Sequence, residues 1–234
     1  MRRVLHVIAI AAWILVAGCG GKVSVNVERG ADTGILPGEQ IVVLLSRYSL
    51  EGTDVKDLNS TEAKLEWCIR TETQKVNDRH EFLPPAALRK LVSAEMIGAD
   101  GSKSPDSLVR LLAEPVTATR LAEARVRYVV LLEGSYSTSK YRLTGFGGSG
   151  GGLALGAVGS EWTKYSSIQA TILDLKHARI AGSINSYSTG NEGGGGGMFL
   201  IIPFPFYYTS MPESLACAAL SKELAQFISR TGTP

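Results

Sequence analysis

The spacing of apolar residues changes several times along the chain. Gln40–Tyr48 and Arg127–Ser135 are nearly continuous runs of β-branched and leucine residues, a pattern typical of buried strands. Tyr165–Leu175 and Ile180–Thr189 instead alternate apolar and polar residues, and they flank the turn sequence Asp174–His177, which predicts a β-hairpin. The chain therefore contains at least four segments with strand character.

Between the first two strands, apolar residues recur every three or four positions, as on one face of a helix. Helices are expected at residues 60–76, 85–92, 105–112 and 118–124, with a short strand at Glu81–Leu83 and a last helix from about 212 to 229. Three residues are predicted caps: Asn59, Thr117 and Ser210. Ser104, Pro105 and Asp106 are expected to start the third helix, since proline is tolerated in a first turn. Asn59 with Glu62, and Ser210 with Glu213, have the spacing of capping boxes.

This order of elements predicts an α+β (mixed α/β) fold, with one mixed sheet, helices packed on it and a C-terminal helix. Residues 39–234 are expected to form one domain. Two glycine-rich stretches, 145–159 and 190–197, are predicted to be flexible loops, since glycine has high chain entropy and no side chain to pack. Residues 19–38 contain several glycines and are predicted to be a tether, within which Lys22–Glu28 alternates like a short strand.

The first eighteen residues follow the pattern of a secretory signal peptide. Arg2 and Arg3 precede an apolar run, Val4–Val16, which is too short to span a bilayer. The run ends in Val-Ala-Gly followed by Cys19, a sequence that resembles the lipobox of bacterial lipoproteins. The resemblance implies cleavage before Cys19 and lipidation of its thiol. Gly20, rather than Asp, follows the cysteine, and this implies the outer membrane, with the protein facing the periplasm.

The two cysteines that remain, Cys68 and Cys217, would then lie in an oxidising compartment. Each falls on the apolar face of its predicted helix, and their separation is unlike that of CxxC redox or zinc motifs. A Cys68–Cys217 disulfide is the prediction. Two reduced, buried thiols are the alternative.

Charge excludes some classes of function. The chain has 24 basic and 22 acidic residues, so loss of Arg2 and Arg3 leaves a formally neutral mature protein. No basic cluster is apparent, and nucleic-acid binding has no support.

Two motifs in the first glycine-rich stretch suggest chemistry, but their context does not fit. Gly145–Gly150 matches GxGxxG, yet more glycine follows it instead of the helix that would receive a pyrophosphate. Residues 147–151 match GxSxG around Ser149, and Asp174 and His177 follow in hydrolase order, but a glycine tract cannot hold the serine rigidly. We expect no catalytic residues, no cofactor and no metal ligands. His80 and His177 are expected to be surface residues.

A segment rich in aromatic residues follows the second glycine stretch. Met198–Ile202 is predicted to be a strand, and the prolines at 203 and 205 remove ladder donors beyond it. The aromatic residues of this segment are either buried or exposed for contact with a partner or a lipid surface. The candidates for contact are Phe204, Phe206, Tyr207 and Tyr208.

Three segments resemble the domain shared by the curli-secretion lipoprotein family and the amino-terminal region of the Tol translocation protein. They are the first strand Ile41–Leu45, the strand Arg127–Gly134 that ends in glycine, and the strand–Asp-turn–strand segment Ile172–Ile180, where Ala178 replaces the usual glycine. The resemblance covers residues 40–230 and rests on patterns of residue character. It implies an envelope accessory lipoprotein that binds a larger assembly and can form a homo-oligomer. The alternative is an oligomeric outer-membrane export pore of the curli-secretion type.

Overall fold

A single mixed sheet of nine strands runs through the protein in the computed structural model. The structure describes residues 21–30, 34–56, 58–92, 104–139, 142–150, 153–199 and 202–229; the predicted leader and Cys19 lie outside these ranges. The strands are β1 Lys22–Arg29, β2 Gln40–Leu50, β3 Thr53–Asp54, β4 Glu81–Leu83, β5 Val126–Thr138, β6 Arg142–Gly150, β7 Leu153–Asp174, β8 Arg179–Phe199 and β9 Ile202–Thr209.

The strand order across the sheet is β1-β8-β7-β5-β2-β3, and β4, β6 and β9 pair with β2, β7 and β8 respectively. β2 runs parallel to β4 and β5, whereas the other pairs are antiparallel. Five described helices connect or follow the strands: α1 Asn59–Val76, α2 Pro85–Leu91, α3 Pro105–Leu112, α4 Pro115–Glu123 and α5 Pro212–Ser229. The protein is thus an α+β fold, as the sequence pattern predicts.

Helices cover both faces of the sheet, and each face has its own apolar core. On one face, α1 and α5 bury Leu65, Ile69, Leu220 and Phe227 against the sheet. On the other face, α2, α3 and α4 pack over the opposite side of β2 and β5, with Leu88, Leu112 and Leu121 buried. Because β2 and β5 are covered on both sides, they need the continuous apolar runs that the sequence shows.

The free edge of β2 is completed by a helix side chain. β4 pairs with residues 40–42 of β2 and β3 with residues 49–50, so the middle of this edge has no neighbouring strand. There the buried carboxylate of Glu62 accepts the Leu45 N–H at 3.0 Å and pairs with Arg89 of α2 at 2.7 Å. The predicted capping box is therefore wrong, since α1 begins at Asn59 and Glu62 satisfies the sheet edge.

The second predicted capping box, Ser210 with Glu213, is also replaced by long-range contacts. Ser210 Oγ donates to the Asn191 carbonyl at 2.9 Å, and Glu213 accepts a hydrogen bond from Tyr48. α4 begins at Pro115, two residues before the predicted cap Thr117. Ser104 does cap α3, since its side chain accepts the Ser107 N–H at 3.3 Å.

The segment predicted to be a tether contributes an edge strand. All eight residues of β1, Lys22–Arg29, pair with β8, from Thr189 to Gly182. Gly182 permits this pairing, because a Cβ at that position would lie 2.2 Å from the Glu28 carbonyl oxygen. The tether prediction is therefore corrected for residues 22–29, since a long neighbouring strand offers this short alternating segment a full ladder of hydrogen bonds.

The two glycine-rich stretches are strands and not loops over their described residues. Residues 145–150 belong to β6, residues 153–159 to β7 and residues 190–197 to β8. Each has antiparallel partners through its length, including glycine opposite glycine at Gly159 and Gly195. The loop prediction is wrong because it considered only the entropy that glycine loses on ordering. Hydrogen bonds to the neighbouring strands offset that loss.

Candidate functional site

Two adjacent β-hairpins extend the sheet beyond its helical cover. We call this region the double hairpin: β6, residues 153–161 of β7, residues 193–199 of β8, and β9. Its strands lie in the order β6-β7-β8-β9, and all three pairings are antiparallel. β7 and β8 are 22 and 21 residues long, so one pair of strands belongs to both the core and the double hairpin.

The last helix leads away from the double hairpin. At its start, the Pro212 carbonyl accepts a hydrogen bond from Ser188 of β8. Toward its end, the Phe227 ring lies beside Gly182, six positions further from the double hairpin on the same strand. Most contacts of α5 with the sheet fall on β1, β7 and β8, and β2 adds a hydrogen bond from Tyr48 to Glu213. The helical layer formed by α5 therefore begins where the double hairpin ends.

The register of the four strands sorts their residues into two faces. Positions that pair directly share a face, and successive residues of a strand alternate between faces. One cross-strand row is Phe146, Ala157, Gly197 and Phe204, and another ends in Gly195 and Phe206. By this register the face contains the positions of Phe146, Leu153, Leu155, Phe199, Ile202, Phe204, Phe206 and Tyr208.

The opposite face of the double hairpin has the positions of mostly small residues. They include Gly145, Gly147, Ser149, Ala154, Gly156, Val158, Gly194 and Gly196, together with Tyr207. Of the four contact candidates from the sequence, the register thus places Phe204, Phe206 and Tyr208 together and separates Tyr207 from them. β8 ends at Phe199 and β9 begins at Ile202, so the predicted strand Met198–Ile202 is instead divided between two strands.

A groove of about 770 Å³ lies on the α1/α5 face of the core, between these helices and the ends of β2 and β5. Its walls are mainly apolar and include Leu50, Val55 and Tyr136. Trp67 of α1 stands at the groove with 66 % of its surface exposed. The sequence pattern gave no signal for it, because Trp67 lies off the apolar face of α1.

Tyr48 and Glu213 are the hydrogen-bonded polar pair of this groove. Tyr48 is buried at the end of β2 and donates its hydroxyl proton to Glu213, in the first turn of α5. Burial, and then the Glu213 carboxylate, raise the pKa of Tyr48 well above the ordinary tyrosine value. Tyr48 is therefore a neutral hydrogen-bond donor that ties α5 to the sheet.

The structure contains the Cys68–Cys217 disulfide. Its Cα atoms are 6.5 Å apart, and both cysteines line the groove. The bridge joins α1 to α5 because the first and last helices are neighbours on the same face of the sheet. The covalent link fixes the spacing of the two helices that form one wall of the groove.

Asp174 and His177 do meet at the β7–β8 turn, as their spacing allows. The buried Asp174 carboxylate accepts the His177 backbone N–H at 3.3 Å, contacts His177 Nδ1 at 2.7 Å and pairs with Arg127 at 3.2 Å. Ala178 has a φ of 48°, within the left-handed region that favours glycine. The three side chains stabilise the hairpin turn against the first residues of β5.

Ser149 is far from this turn. It pairs with Ala154, and Asp174 lies twenty positions further along β7. At about 3.3 Å per strand residue, the two positions are separated by roughly 60 Å. The GxSxG serine, Asp174 and His177 therefore do not assemble into one site. Gly145–Gly150 lies within β6 and is followed by another strand, unlike a dinucleotide-binding loop.

The prediction that both histidines lie at the surface is wrong for His80. His80 is 3 % exposed, and its Nε2 lies 3.1 Å from Ser229 Oγ at the end of α5. Burial lowers the pKa of His80. The side chain of His177 is 48 % exposed, in agreement with the prediction.

The described residues hold no cluster of three or more histidine, cysteine or acidic residues that could bind a metal ion. No helix in the described ranges is long and apolar enough to cross a bilayer.

Comparisons with known proteins found distant structural similarities. The chain is similar to the PelC dodecamer from Paraburkholderia phytofirmans, with 13 % identity over 91 % of this chain and 100 % of that one, and a TM-score of 0.36. It is also similar to a putative neuraminyllactose-binding hemagglutinin homolog from Helicobacter pylori, with 9 % identity over 86 % and 91 % of the two chains and a TM-score of 0.33. No family model and no curated protein matches the chain.

Proposed function

We propose that the protein is a lipid-anchored bacterial envelope protein that serves an envelope complex as a non-catalytic accessory subunit. In this proposal Cys19 bears the lipid and holds the protein at the outer membrane, facing the periplasm. The double hairpin makes the contact with the partner or the lipid surface. The observation that carries the proposal is the register of the double hairpin, which aligns eight large apolar positions on the face opposite the α5 layer.

The composition of the two faces supports contact through one face. Large contiguous apolar patches on a protein surface mark interaction sites. Phe204, Phe206 and Tyr208 occupy alternate positions of β9, so one strand contributes three aromatic residues to the same face. The other face has mostly glycine, alanine and serine positions and one aromatic residue, Tyr207, so it offers less area for apolar contact.

The anchor is tested by substituting the lipidated residue. Cys19→Ala is expected to leave the leader uncleaved or to release the protein from membranes, because alanine has no thiol to carry the lipid that would anchor the mature protein. Membrane fractionation, with mass spectrometry of the mature N-terminus, measures both outcomes. Normal cleavage together with full membrane retention of Cys19→Ala would show that this cysteine is not the anchor.

The contact is tested by placing a photo-crosslinking amino acid at single positions of β9 in the membrane-anchored protein. Crosslinks to a protein or to lipid are expected from positions 204 and 206. Position 207 is the matched control, since it is aromatic, lies on the same strand and belongs to the opposite face. Equal crosslinking from 206 and 207, or none from 204 and 206, contradicts contact through this face.

A homo-oligomeric export pore of the curli-secretion type is the second candidate. The observation that favours it is that the glycine-rich segments are strands, so each copy would supply two paired hairpins to a ring. Such a ring requires β6 of one copy to pair with β9 of the next, because these strands form the open edges of the double hairpin in the described chain.

The prolines of β9 favour the accessory role over the pore. Pro203 and Pro205 each lack a backbone N–H, so the outer edge of β9 is a poor template for another strand. The mass of the detergent-extracted, lipidated protein separates the two candidates. A monomer or a small complex supports the accessory role, whereas a large ring of identical copies supports the pore.

A further inference from the structure

A second cavity lies at the opposite end of the sheet from the double hairpin. It has a volume of about 360 Å³ and is enclosed by residues 36–39, α4, the start of β5 and the turn after β7. Much of its wall is apolar, including Leu112 and Leu121. Its charged lining residues are Glu39, Arg125, Arg127 and Lys176.

Arg127 is the buried cation of this cavity. Its side chain is 7 % exposed, and Nη2 donates to Asp174 at 3.2 Å. Nε and Nη1 are also buried, but they have no hydrogen-bond partner. A buried donor without a partner has lost its hydrogen bonds to water without replacing them, and this cost is larger when the group is charged. An acceptor that reached these nitrogens would recover that cost.

The backbone places Arg127 at this position by an irregularity in the sheet. Gln40 pairs with Val126 and Ile41 with Tyr128, so Arg127 is the extra residue of a β-bulge. Bulges redirect one side chain out of the regular alternation and are frequent beside functional sites. Without this bulge, a charged residue in the apolar run of β5 would have to face a packed helix layer.

Asp174 does not use all the donors of Arg127. Its Oδ1 accepts the His177 N–H, and its Oδ2 is shared between Arg127 Nη2 and His177 Nδ1. The carboxylate therefore orients one nitrogen of the guanidinium and leaves three N–H bonds, one on Nε and two on Nη1, for another acceptor.

The mouth of the cavity adds two more cations. Arg125 and Lys176 are exposed lining residues, and a Cβ at Gly38 would lie 2.8 Å from Arg125 Nη1, so that guanidinium rests over the glycine. Three cations thus face two carboxylates, Glu39 and Asp174, and the Glu39 carboxylate also accepts the Leu36 N–H. The net positive charge favours an anionic occupant.

We propose that this cavity binds a small oxyanion, a carboxylate or phosphate group, through the unpartnered N–H groups of Arg127, with Arg125 and Lys176 at the entrance. Guanidinium groups bind both anions by short, charge-assisted hydrogen bonds. The volume suits a small molecule, near the lower limit of ligand pockets. The site is independent of the double hairpin, so it assigns a ligand-binding role that the proposed accessory function does not contain.

Titration of the lipidated, detergent-solubilised protein with inorganic phosphate and with acetate tests the proposal, with chloride at matched ionic strength as the reference. The Arg127 Nε–H resonance is expected to shift with at least one of the two anions and to remain unchanged in chloride. The anion that gives the shift identifies the class of ligand. If neither anion binds better than chloride, the proposal is wrong.

Substitutions at the entrance test the site without disturbing the buried ion pair. Arg125→Gln with Lys176→Gln is expected to weaken anion binding about fivefold to tenfold, because solvent screens the attraction that each of these two exposed charges exerts on the anion. Arg110→Gln is the matched control, an exposed arginine on α3 outside the cavity lining. Undiminished binding by the double variant, or equal weakening by Arg110→Gln, would overturn the proposal.

Discussion

At the scale of single residues, burial decides the chemistry of several polar groups that sequence patterns treat as ordinary. Glu62 has the spacing of a helix cap, but its carboxylate completes the edge of β2. Tyr48 reads as one position of an apolar strand, yet it donates a buried hydrogen bond to Glu213. His80 lies between α1 and β4 and is nearly inaccessible to water. Each role depends on a partner distant in sequence.

His80 makes the stability of the protein depend on pH. Burial lowers its pKa in the folded state, so the unfolded chain binds more protons as the pH falls below the ordinary histidine value of about 6.5. We expect the contribution of His80 to the free energy of unfolding to be constant above that pH and to decrease as the pH falls below it. Urea unfolding between about pH 5 and pH 8, the range in which histidine titrates, measures this slope.

His80→Asn is expected to remove most of this slope. Ser229→Ala is the control, because it removes the polar partner of His80 and leaves the imidazole buried, so the slope should persist. A slope unchanged in His80→Asn would assign the pH dependence to another group.

At the scale of elements, close approach of backbones explains why particular glycines are needed. Gly182 lies where β1, β8 and α5 meet, and Gly134 lies under the Tyr48 ring, whose nearest atom would be 2.7 Å from an added Cβ. Arg29, at the end of β1, covers the Phe227 ring at 4.5 Å, so the edge strand is fastened to α5 beside Gly182. β1 is therefore held by backbone pairing along its length and, at this end, by the contact of Arg29 with Phe227.

Gly182→Ala is expected to displace the end of β1. The new methyl group would clash with the Glu28 carbonyl and the Phe227 ring, and we expect a loss of stability of about 1–3 kcal/mol. Hydrogen exchange should rise in β1 more than in β5. Ser183→Ala, at the next position of β8, is the control, because it removes only an exposed hydrogen bond of 3.4 Å to the Glu28 side chain and should have little effect on either measurement. Equal exchange in β1 of the parent and of Gly182→Ala would contradict this account.

At the scale of the whole molecule, one covalent bond and one pair of long strands connect regions that are far apart in sequence. The Cys68–Cys217 disulfide joins positions 149 residues apart and ties the first helix to the last. β7 and β8 extend from the Arg127–Asp174 cluster, through the core, to the double hairpin. The two candidate binding regions therefore lie at opposite ends of one continuous pair of strands.

Removal of the disulfide is expected to destabilise the entire domain. On the chain-entropy model, closing a loop of this length raises the free energy of the unfolded chain by about 4 to 5 kcal/mol and so stabilises the folded state. Cys68→Ala with Cys217→Ala should lower the urea midpoint and leave the Arg127 region folded at low denaturant. Thiol counting on the denatured, unreduced parent protein is the accompanying measurement. Two free thiols in the parent, or an unchanged midpoint in the double variant, would contradict the stabilising role.

The sequence alone predicted the features that depend on local pattern. Residue spacing predicted the α+β class, the helices at about 60–76 and 212–229 and the turn at Asp174–His177, because an amphipathic period or a turn residue acts over a few positions. Helical spacing also predicted that Cys68 and Cys217 lie on the apolar faces of their helices. The expected oxidising compartment then led to the predicted disulfide.

Tertiary structure decided the features that depend on distant neighbours. The glycine-rich segments became strands because long neighbouring strands supply their hydrogen bonds, and composition alone suggested loops. The same cross-strand register separated Tyr207 from Phe204 and Phe206, and it put Ser149 far from Asp174. The unpartnered donors of Arg127 depend on a bulge between β2 and β5, strands about eighty residues apart in sequence. A single sequence does not encode register as a local signal, since register results from the competition of all strands for partners.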